Sequence, residues 1–421
     1  KSSIDFSKAG VQYGTNAKLA FSYTTKEFVA FEDQAVCHLI YTSPKTHEII
    51  RNNLERSAQF NGQIKGVGPR YCPSIEGKIT TFYDKPRHQL FLEPETKDGD
   101  SIYIQGFATS MPRDVQEQMV RSLPGFENAE ILKYGYAIEY DAIVPTQFDA
   151  TLRVKKYRGL YGAGQICGTS GYEEAAGLGI MAGINAVLAI RGQAPLILKR
   201  NEAYIAVMID DLVTKGAIEP YRLLSSRAEY RLLLRHDNAD LRLTEYGYQL
   251  GLIPEARYQS FLQKNESLNR VLSILRKTYL GANKKVNEYL RKIGCTPLKG
   301  GTLAYDLLKR PDVAYSTMIE LIPKLIFHPL DETGIMQLEI MVKYEGYIAK
   351  QEKEAKSFAK FESLLLPEDL DYLHIDGLAL EARQKLQKIR PRTIGQASRV
   401  GGVNPSDISV LVLTLKRRGL L

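Results

Sequence analysis

The sequence predicts a protein of mixed α and β structure whose last half is all helix, and three observations carry that reading. Between 19 and 148, short β-rich runs such as 36–41 and 89–92 alternate with Gly, Pro and Asp turns and a few short helical patterns, which predicts α+β structure. At 160–163 a short strand is expected to run into a Gly-rich turn, followed by a long small-residue helix to about Ile190. Beyond about Lys199 amphipathic segments dominate, at 203–213, 256–276, 287–293 and 338–361. The main boundary is expected at 191–200, where Gly192 and Pro195 interrupt the pattern.

The chain has 421 residues, 44% apolar and 25% charged, an ordinary composition for a globular protein of two or three domains. The longest uncharged stretch, 175–190, is shorter than the roughly 20 apolar residues of a spanning helix, so it is expected to be a buried helix and no membrane association is expected. Residues 1–5 are polar and lack the hydrophobic core of a secretory signal, which predicts a cytoplasmic protein. The chain starts at Lys1 rather than Met, and 1–6 carries no helix or strand signal, which predicts a fragment. A net charge of +8 is compatible with a polyanionic partner. Cys37, Cys72, Cys167 and Cys295 are far apart and form no Cys-x-x-Cys pair, so no metal site and no disulfide framework are expected.

Four stretches could carry chemistry. The first is Gly66-Val67-Gly68-Pro69-Arg70-Tyr71-Cys72-Pro73-Ser74-Ile75-Glu76-Gly77-Lys78, a tightly turned loop that sets Cys72 near Arg70 and Lys78. Cations beside a thiol favour the thiolate, as a nucleophile requires, whereas the structural alternative is a small buried residue in a turn. The second runs from Gly162 to Glu174. Ser170 and Glu173 have capping-box spacing, which places a helix start close to Gly171, and the free N–H groups there favour a phosphate or the electron-rich edge of a reduced flavin. Gly177, Gly179 and Gly183 within that helix predict something packed close against it, the alternative for the whole stretch being a helix simply packed on a sheet.

The third stretch holds Arg222, Arg227, Arg231 and Arg235. The last three, spaced by four, are expected to form a drifting stripe on one helix, able to neutralise phosphates or else a solvated face paired with Glu229. The fourth lies at the C-terminus, where helices at 393–399 and 405–418 flank a Gly-rich turn like a helix-turn-helix. The second of these helices offers Ser406, Asp407 and Ser409 in its first turn and no cation until its far end, which argues against base readout.

Together, 68–76, His88-Gln89-Leu90-Phe91-Leu92-Glu93-Pro94-Glu95, Gly164-Gln165 with Gly171-Tyr172-Glu173-Glu174, 226–232, 237–244, 343–348 and 394–399 resemble one family along essentially the whole chain. It is the glucose-inhibited division protein A family of tRNA uridine carboxymethylaminomethyl modification enzymes. The resemblance implies an α/β fold, namely an incomplete FAD/NAD(P)-binding Rossmann-type domain with an inserted α+β domain and an all-α C-terminal domain. The expected division is 1–95 for the inserted domain, 96–198 for the C-terminal part of the FAD domain, and 199–421 for a helical region that binds tRNA and a protein partner.

The resemblance further implies an FAD enzyme that draws reducing equivalents from NADH and one-carbon units from methylenetetrahydrofolate. With a GTPase partner, as a homodimer, it adds an aminomethyl or carboxymethylaminomethyl group at carbon 5 of the wobble uridine. NAD is implied at 68–82, the loop above with Ile79, Thr80, Thr81 and Phe82, and Cys72 is implied to be one of two functional cysteines, as nucleophile or as acid/base thiol. FAD is implied at Gln165 with Gly164, Gly171 and Glu173, and activity or tRNA binding at Arg222 and Arg231. The family's N-terminal dinucleotide loop has no counterpart here, so the fragment itself is expected to be inactive or poor in FAD; the alternative from another class is a non-catalytic nucleic-acid or protein binding module.

Overall fold

A computed structural model describes residues 1–18, 20–66 and 73–420. The chain divides into two units, one of Lys1–Ala142 with Gly168–Gly171 and Ile218–Tyr221, the other of Ile143–Cys167, Tyr172–Ala217 and Arg222–Leu421.

The first unit is built on an antiparallel sheet in the order β1 (Gly10–Gln12), β2 (Cys37–Tyr41), β3 (Gln89–Pro94), β4 (Ile102–Gln105). Leu90 and Leu92 on β3 are fully buried while Gln89 is exposed, the period-two signature of a sheet with one face in a core. That face packs under α1 (Pro44–Arg51), α2 (Ile75–Thr81) and α3 (Arg113–Arg121), through Ile50, Ile75, Ile79, Val115 and Met119. Helix α1 starts where it does because Ser43 and Thr46 form a reciprocal capping box, with Pro44 in the first turn. The α+β expectation for this region agrees with these elements. The β3–β4 hairpin runs across the expected boundary at 95/96.

His47 on α1 and His88 ahead of β3 lie with ring centroids 5.4 Å apart, and the Thr42 hydroxyl meets His47 Nε2 at 2.8 Å. Burial pushes the His47 imidazole below the ordinary histidine range, with His88 and Arg51 adding to the effect, and burial and Lys78 do the same to His88. Both rings therefore fold neutral, and the unfolded chain binds more protons than the native one once the pH nears the ordinary value of 6.5. Stability from this pair is complete above that value and is lost as pH falls from it through the depressed folded values. The urea midpoint of this unit is expected to drop between about pH 7.5 and pH 5.5; a midpoint that rises on acidification would refute the assignment.

In the second unit, α4 (Tyr172–Ile190) and α5 (Tyr204–Lys215) precede α6 (Ala239–Gln249) and α7 (Glu255–Lys277). Next come β5 (Tyr279–Leu280), α8 (Lys284–Lys292), β6 (Thr302–Leu303), α9 (Ala304–Leu308), α10 (Tyr315–Leu321) and α11 (Glu332–Lys343). Helices α12 (Glu345–Ser363), α13 (Leu380–Ile389), α14 (Ile394–Arg399) and α15 (Pro405–Arg417) complete it. Among the described residues two large hydrophobic cores serve this helical part, beside a small one of Val207, Ala228 and Leu234. One of the large cores gathers residues from Leu268 to Val342, the other residues from Leu366 to Leu415.

The helix expected at 338–361 is two helices parted at Tyr344. The first turn of α12 is fixed at Glu345, which accepts from Tyr305 Oη at 2.9 Å and pairs with Lys309 Nζ at 2.9 Å. No strand forms at 160–163; Tyr161 makes only an isolated bridge to Arg153. Gly159 and Gly164 turn the chain at either end with φ of +83° and +82°, which leaves too few extended residues for a ladder. All pairings between the named strands are antiparallel.

Candidate functional site

Helix α4 begins at Tyr172, one residue from the position that the Ser170–Glu173 spacing predicts. The short 3₁₀ turn Gly164–Cys167 packs against it, and Ile143 N–H donates to Ile166 O at 2.8 Å to fix the turn from behind. Gly162 has no room for a side chain, since a Cβ there would lie 2.5 Å from the fully buried Phe148 ring and 2.6 Å from Cys167 Sγ. The turn is thereby held in one place relative to the helix. Gln165 is half-buried within it, and its carboxamide has no hydrogen-bond partner among the described residues.

Two carboxylates already occupy the positive end of α4. Glu173 is exposed, while Glu174 is buried and accepts from Arg222 Nε at 3.3 Å and Leu223 N–H at 3.2 Å. Charges so placed complement the helix dipole, so this terminus suits a neutral polar ring edge offered to Gln165 better than a phosphate. Gly171 belongs to the other unit, in the piece where Tyr221 N–H donates to Gly168 O at 2.8 Å and Thr169 Oγ1 to Tyr221 O at 2.6 Å.

Close packing at the α4 glycines holds only at Gly177, where a Cβ would approach Ile205 Cγ1 to 3.1 Å. Gly179 and Gly183 meet nothing within 4 Å. The reason is that α4 buries one face only, through Gly177, Leu178, Met181, Ala182, Asn185 and Leu188, while Ile180, Val187 and Ile190 are exposed on the other side. The expectation of a buried helix holds for that one face only, and at Tyr172–Ile190 the helix is longer than the stretch expected to be too short to span: by length and composition alone it is long and apolar enough to cross a membrane.

In the first unit, the family segment at 68–82 falls partly outside the described residues: Gly68, Pro69, Arg70, Tyr71 and Cys72 lie there. From Pro73 on it is helix α2, capped by Ser74 Oγ accepting from Gly77 N–H at 3.1 Å. Ile75 and Ile79 are core residues and Gly77 is buried beneath the cap, so they offer no side chain to a dinucleotide. Glu76, also buried, accepts from Ser110 N–H and Ser110 Oγ, both at 2.8 Å, and its Oε2 is without a partner among the described residues. Lys78 Nζ donates to Gly106 O at 3.2 Å. Pro73, Ser74, Lys78, Thr80, Thr81 and Phe82 keep accessible surface.

The other three thiols are accounted for. Burial pushes Cys167 up to about 11, burial and Glu93 raise Cys37, and burial together with the hydrogen bond from its Sγ to Asp312 O raises Cys295. All three are held protonated and are poor nucleophiles. Among the described residues no cluster of three or more His, Cys, Asp or Glu is arranged to hold a metal ion.

The arginine stripe is not a helix. Residues 225–227 make one 3₁₀ turn, 228–235 are turns and bends, and the α-helix starts only at Ala239. Long-range side chains hold this shape: Arg200 Nη2 donates to Arg227 O at 3.3 Å, and Gln351 accepts from Leu232 N–H at 3.0 Å. Arg235 folds back onto Leu232 O and pairs with Asp237 at 3.0 Å, Arg222 is paired with Glu174, and Arg227 is half-buried. Arg231 alone of the four is exposed, and it has no carboxylate partner among the described residues.

A buried ionic cluster joins residues far apart in sequence. Arg200 pairs with Asp210 at 3.0 Å, Asp211 at 2.9 Å and Glu229 at 2.7 Å. Arg399 on α14 grips the same Asp210, at 2.5 Å from Nε and 2.9 Å from Nη2, and pairs with Glu362 as well. Burial alone would lower the Arg399 pKa, but Asp210 and Glu362 outweigh it and hold it above the ordinary arginine range. The one local signal was Asp210-Asp211 within an otherwise apolar helical run.

A class of tRNA-modifying proteins matches this chain in both its first part and its helical domains. Residues 255–352 match the family model for the "tRNA modifying enzyme MnmG/GidA C-terminal helical domain" and 354–420 the one for its C-terminal helical bundle. Residues 1–194 match the model for "Glucose inhibited division protein A", and the chain belongs to that family. It is 54% identical over 417 residues to the Bacillus licheniformis tRNA uridine 5-carboxymethylaminomethyl modification enzyme MnmG, covering 99% of this chain and 65% of that one. The Bacillus subtilis enzyme of the same name is 53% identical over 414 residues, with 98% and 65% covered. The form II crystal structure of Aquifex aeolicus GidA superposes with a TM-score of 0.84 at 42% identity, over 99% of this chain and 65% of that one. The chain thus spans about two thirds of the length of these relatives.

Proposed function

We propose that this chain is part of an FAD-dependent tRNA modification enzyme that installs a carboxymethylaminomethyl or aminomethyl group on carbon 5 of the wobble uridine. In this reading it is a cytoplasmic homodimer that works with a GTPase docked on the C-terminal helical region, takes reducing equivalents from NADH and one-carbon units from methylenetetrahydrofolate. The observation that carries the reading is the carboxamide of Gln165, without a hydrogen-bond partner among the described residues, in the turn packed against the start of α4 of a chain more than half identical to enzymes of that name. Gln165, in the turn begun by Gly164, would hold the polar edge of the flavin ring, with 96–198 as the C-terminal part of the FAD-binding domain. FAD, when bound there, supplies the electron transfer between NADH and the one-carbon unit. Cys72 is the remaining thiol and the proposed reactive one. The test is the absorbance spectrum of the full-length protein for flavin bands, with nucleoside analysis of its tRNA. A colourless full-length protein with unmodified tRNA would favour the binding-module alternative.

Arg231 is the proposed phosphate contact of its segment, because Arg222 and Arg235 are committed to carboxylates. Arg231→Ala is expected to weaken tRNA binding and to reduce the salt slope by about one phosphate contact. An unchanged affinity and slope would make Arg231 a solvated surface cation.

A further inference from the structure

Between 270 and 310 the sequence holds ten lysines and arginines and only two carboxylates, Glu288 and Asp306. That excess of eight equals the formal net charge of the whole chain, so outside this stretch the charges balance. The stretch folds into one lobe. The end of α7, the β5–β6 pair and α8 share the core of Leu275, Leu280, Val286, Leu290 and Leu298. Asn287 on α8 ties the connecting loop down, donating to Leu298 O at 3.1 Å and accepting from Leu298 N–H at 2.7 Å.

Because Val286 and Leu290 turn α8 inward, its cations face solvent. Arg270, Arg276 and Lys309 have carboxylate partners, and Lys284 lies 3.8 Å from Glu288. Lys277, Lys285, Arg291, Lys292 and Lys299 are exposed and have none among the described residues. Repulsion among like charges disfavours such a group unless a polyanion neutralises it. Arg291 and Lys292 complement the C-terminal end of the α8 dipole, but Lys277, Lys285 and Lys299 have no such role.

We infer that this lobe is a second contact surface for RNA, in which the unpaired cations of α8 and its neighbouring loops bind the phosphate backbone of a base-paired stem. The nine-residue α8 is about 13 Å long, and a duplex presents roughly eight charges over that length, enough to engage every unpaired cation of the lobe. Contacts of this type read no sequence; they hold a tRNA body in register while the base is treated elsewhere. The inference rests on the reading that the substrate is tRNA, and it adds a surface remote in sequence from Arg231.

The experiment compares the full chain with its Lys285→Gln/Arg291→Gln/Lys292→Gln variant, titrated with unmodified tRNA between about 50 and 200 mM salt. The variant is expected to keep its circular dichroism and melting temperature, to bind at least about tenfold more weakly at the low-salt end, and to lose about two to three units of salt slope. A Lys285→Arg/Lys292→Arg variant, which keeps the charges, is expected to bind as the wild type does. Wild-type affinity and slope in the glutamine variant overturn this inference alone. A wild type that binds no tRNA overturns it together with the substrate reading beneath it. Loss of binding to phosphatidylserine vesicles with tRNA binding intact overturns it in favour of a membrane surface.

Discussion

Removing the shared carboxylate of the buried ionic cluster, by Asp210→Ala, is expected to destabilise the helical unit by about 3 kcal/mol, the low end of what breaking a buried ion pair costs. Asp210 receives two guanidiniums, from Arg200 and Arg399, and the side chains involved are 9–18% exposed. Without it neither arginine is abandoned, since Arg200 keeps Asp211 and Glu229 and Arg399 keeps Glu362; that is why the low end applies. The control is Glu266→Ala, which removes the partner of Arg270 in a pair about 60% exposed on both sides and is expected to cost no more than about 0.5 kcal/mol. Urea unfolding followed by far-ultraviolet circular dichroism reads both. Equal losses in the two variants would mean that the cluster contributes no more than surface charge does.

The second large effect concerns Cys72. In the full-length enzyme, Cys72→Ser is expected to abolish wobble-uridine modification while flavin content, folding and tRNA affinity stay near wild type. A hydroxyl is close in size to a thiol but a far poorer nucleophile at neutral pH, and no other described cysteine can stand in, because burial holds Cys37, Cys167 and Cys295 protonated. Nucleoside analysis by mass spectrometry of tRNA from cells carrying only the variant decides the matter. Normal levels of the modified uridine there would remove Cys72 from the mechanism, and loss of fold or flavin would make it a structural residue.

What was legible in the sequence was what local pattern determines. The run 256–276 is Glu255–Lys277 in the structure, and 203–213 is Tyr204–Lys215, because apolar residues at helical spacing give each a face to bury. Ser170 and Glu173 located the start of α4. The errors fall where distant side chains overrule the local pattern. Residues 227–235 have the composition of a helix, yet Arg200 and Gln351 take hydrogen bonds from or give them to this segment's backbone and keep it in turns. The break at Tyr344 is marked in sequence only by Gly346 two residues on, and at this point Tyr305 and Lys309 hold Glu345 in the first turn of the second helix. On α4, the glycines signalled close packing, but whether a given glycine faces a neighbour depends on which side of the helix is covered, and only Gly177 is on that side. Arg200, Asp210 and Arg399 were invisible as a site because their spacing in sequence bears no relation to their spacing in space.

Each large hydrophobic core is made from one continuous length of chain: 40–129 for the sheet unit, then 268–342 and 366–415. Such cores have local topology, so each can close as soon as its own segment has left the ribosome, in order from the N-terminus. Other bonds join distant lengths of chain, among them that between Asp210 and Arg399, 189 positions apart, and that from Lys155 Nζ to Ile389 O, 234 apart. At about 5–20 residues per second, Asp210 waits roughly 10–40 s for Arg399, with only Arg200 to share its charge. The last-made bundle is therefore also the part whose arrival completes the ionic cluster. A nascent chain halted before residue 399 should carry finished earlier cores beside an α5 segment still open to proteolysis.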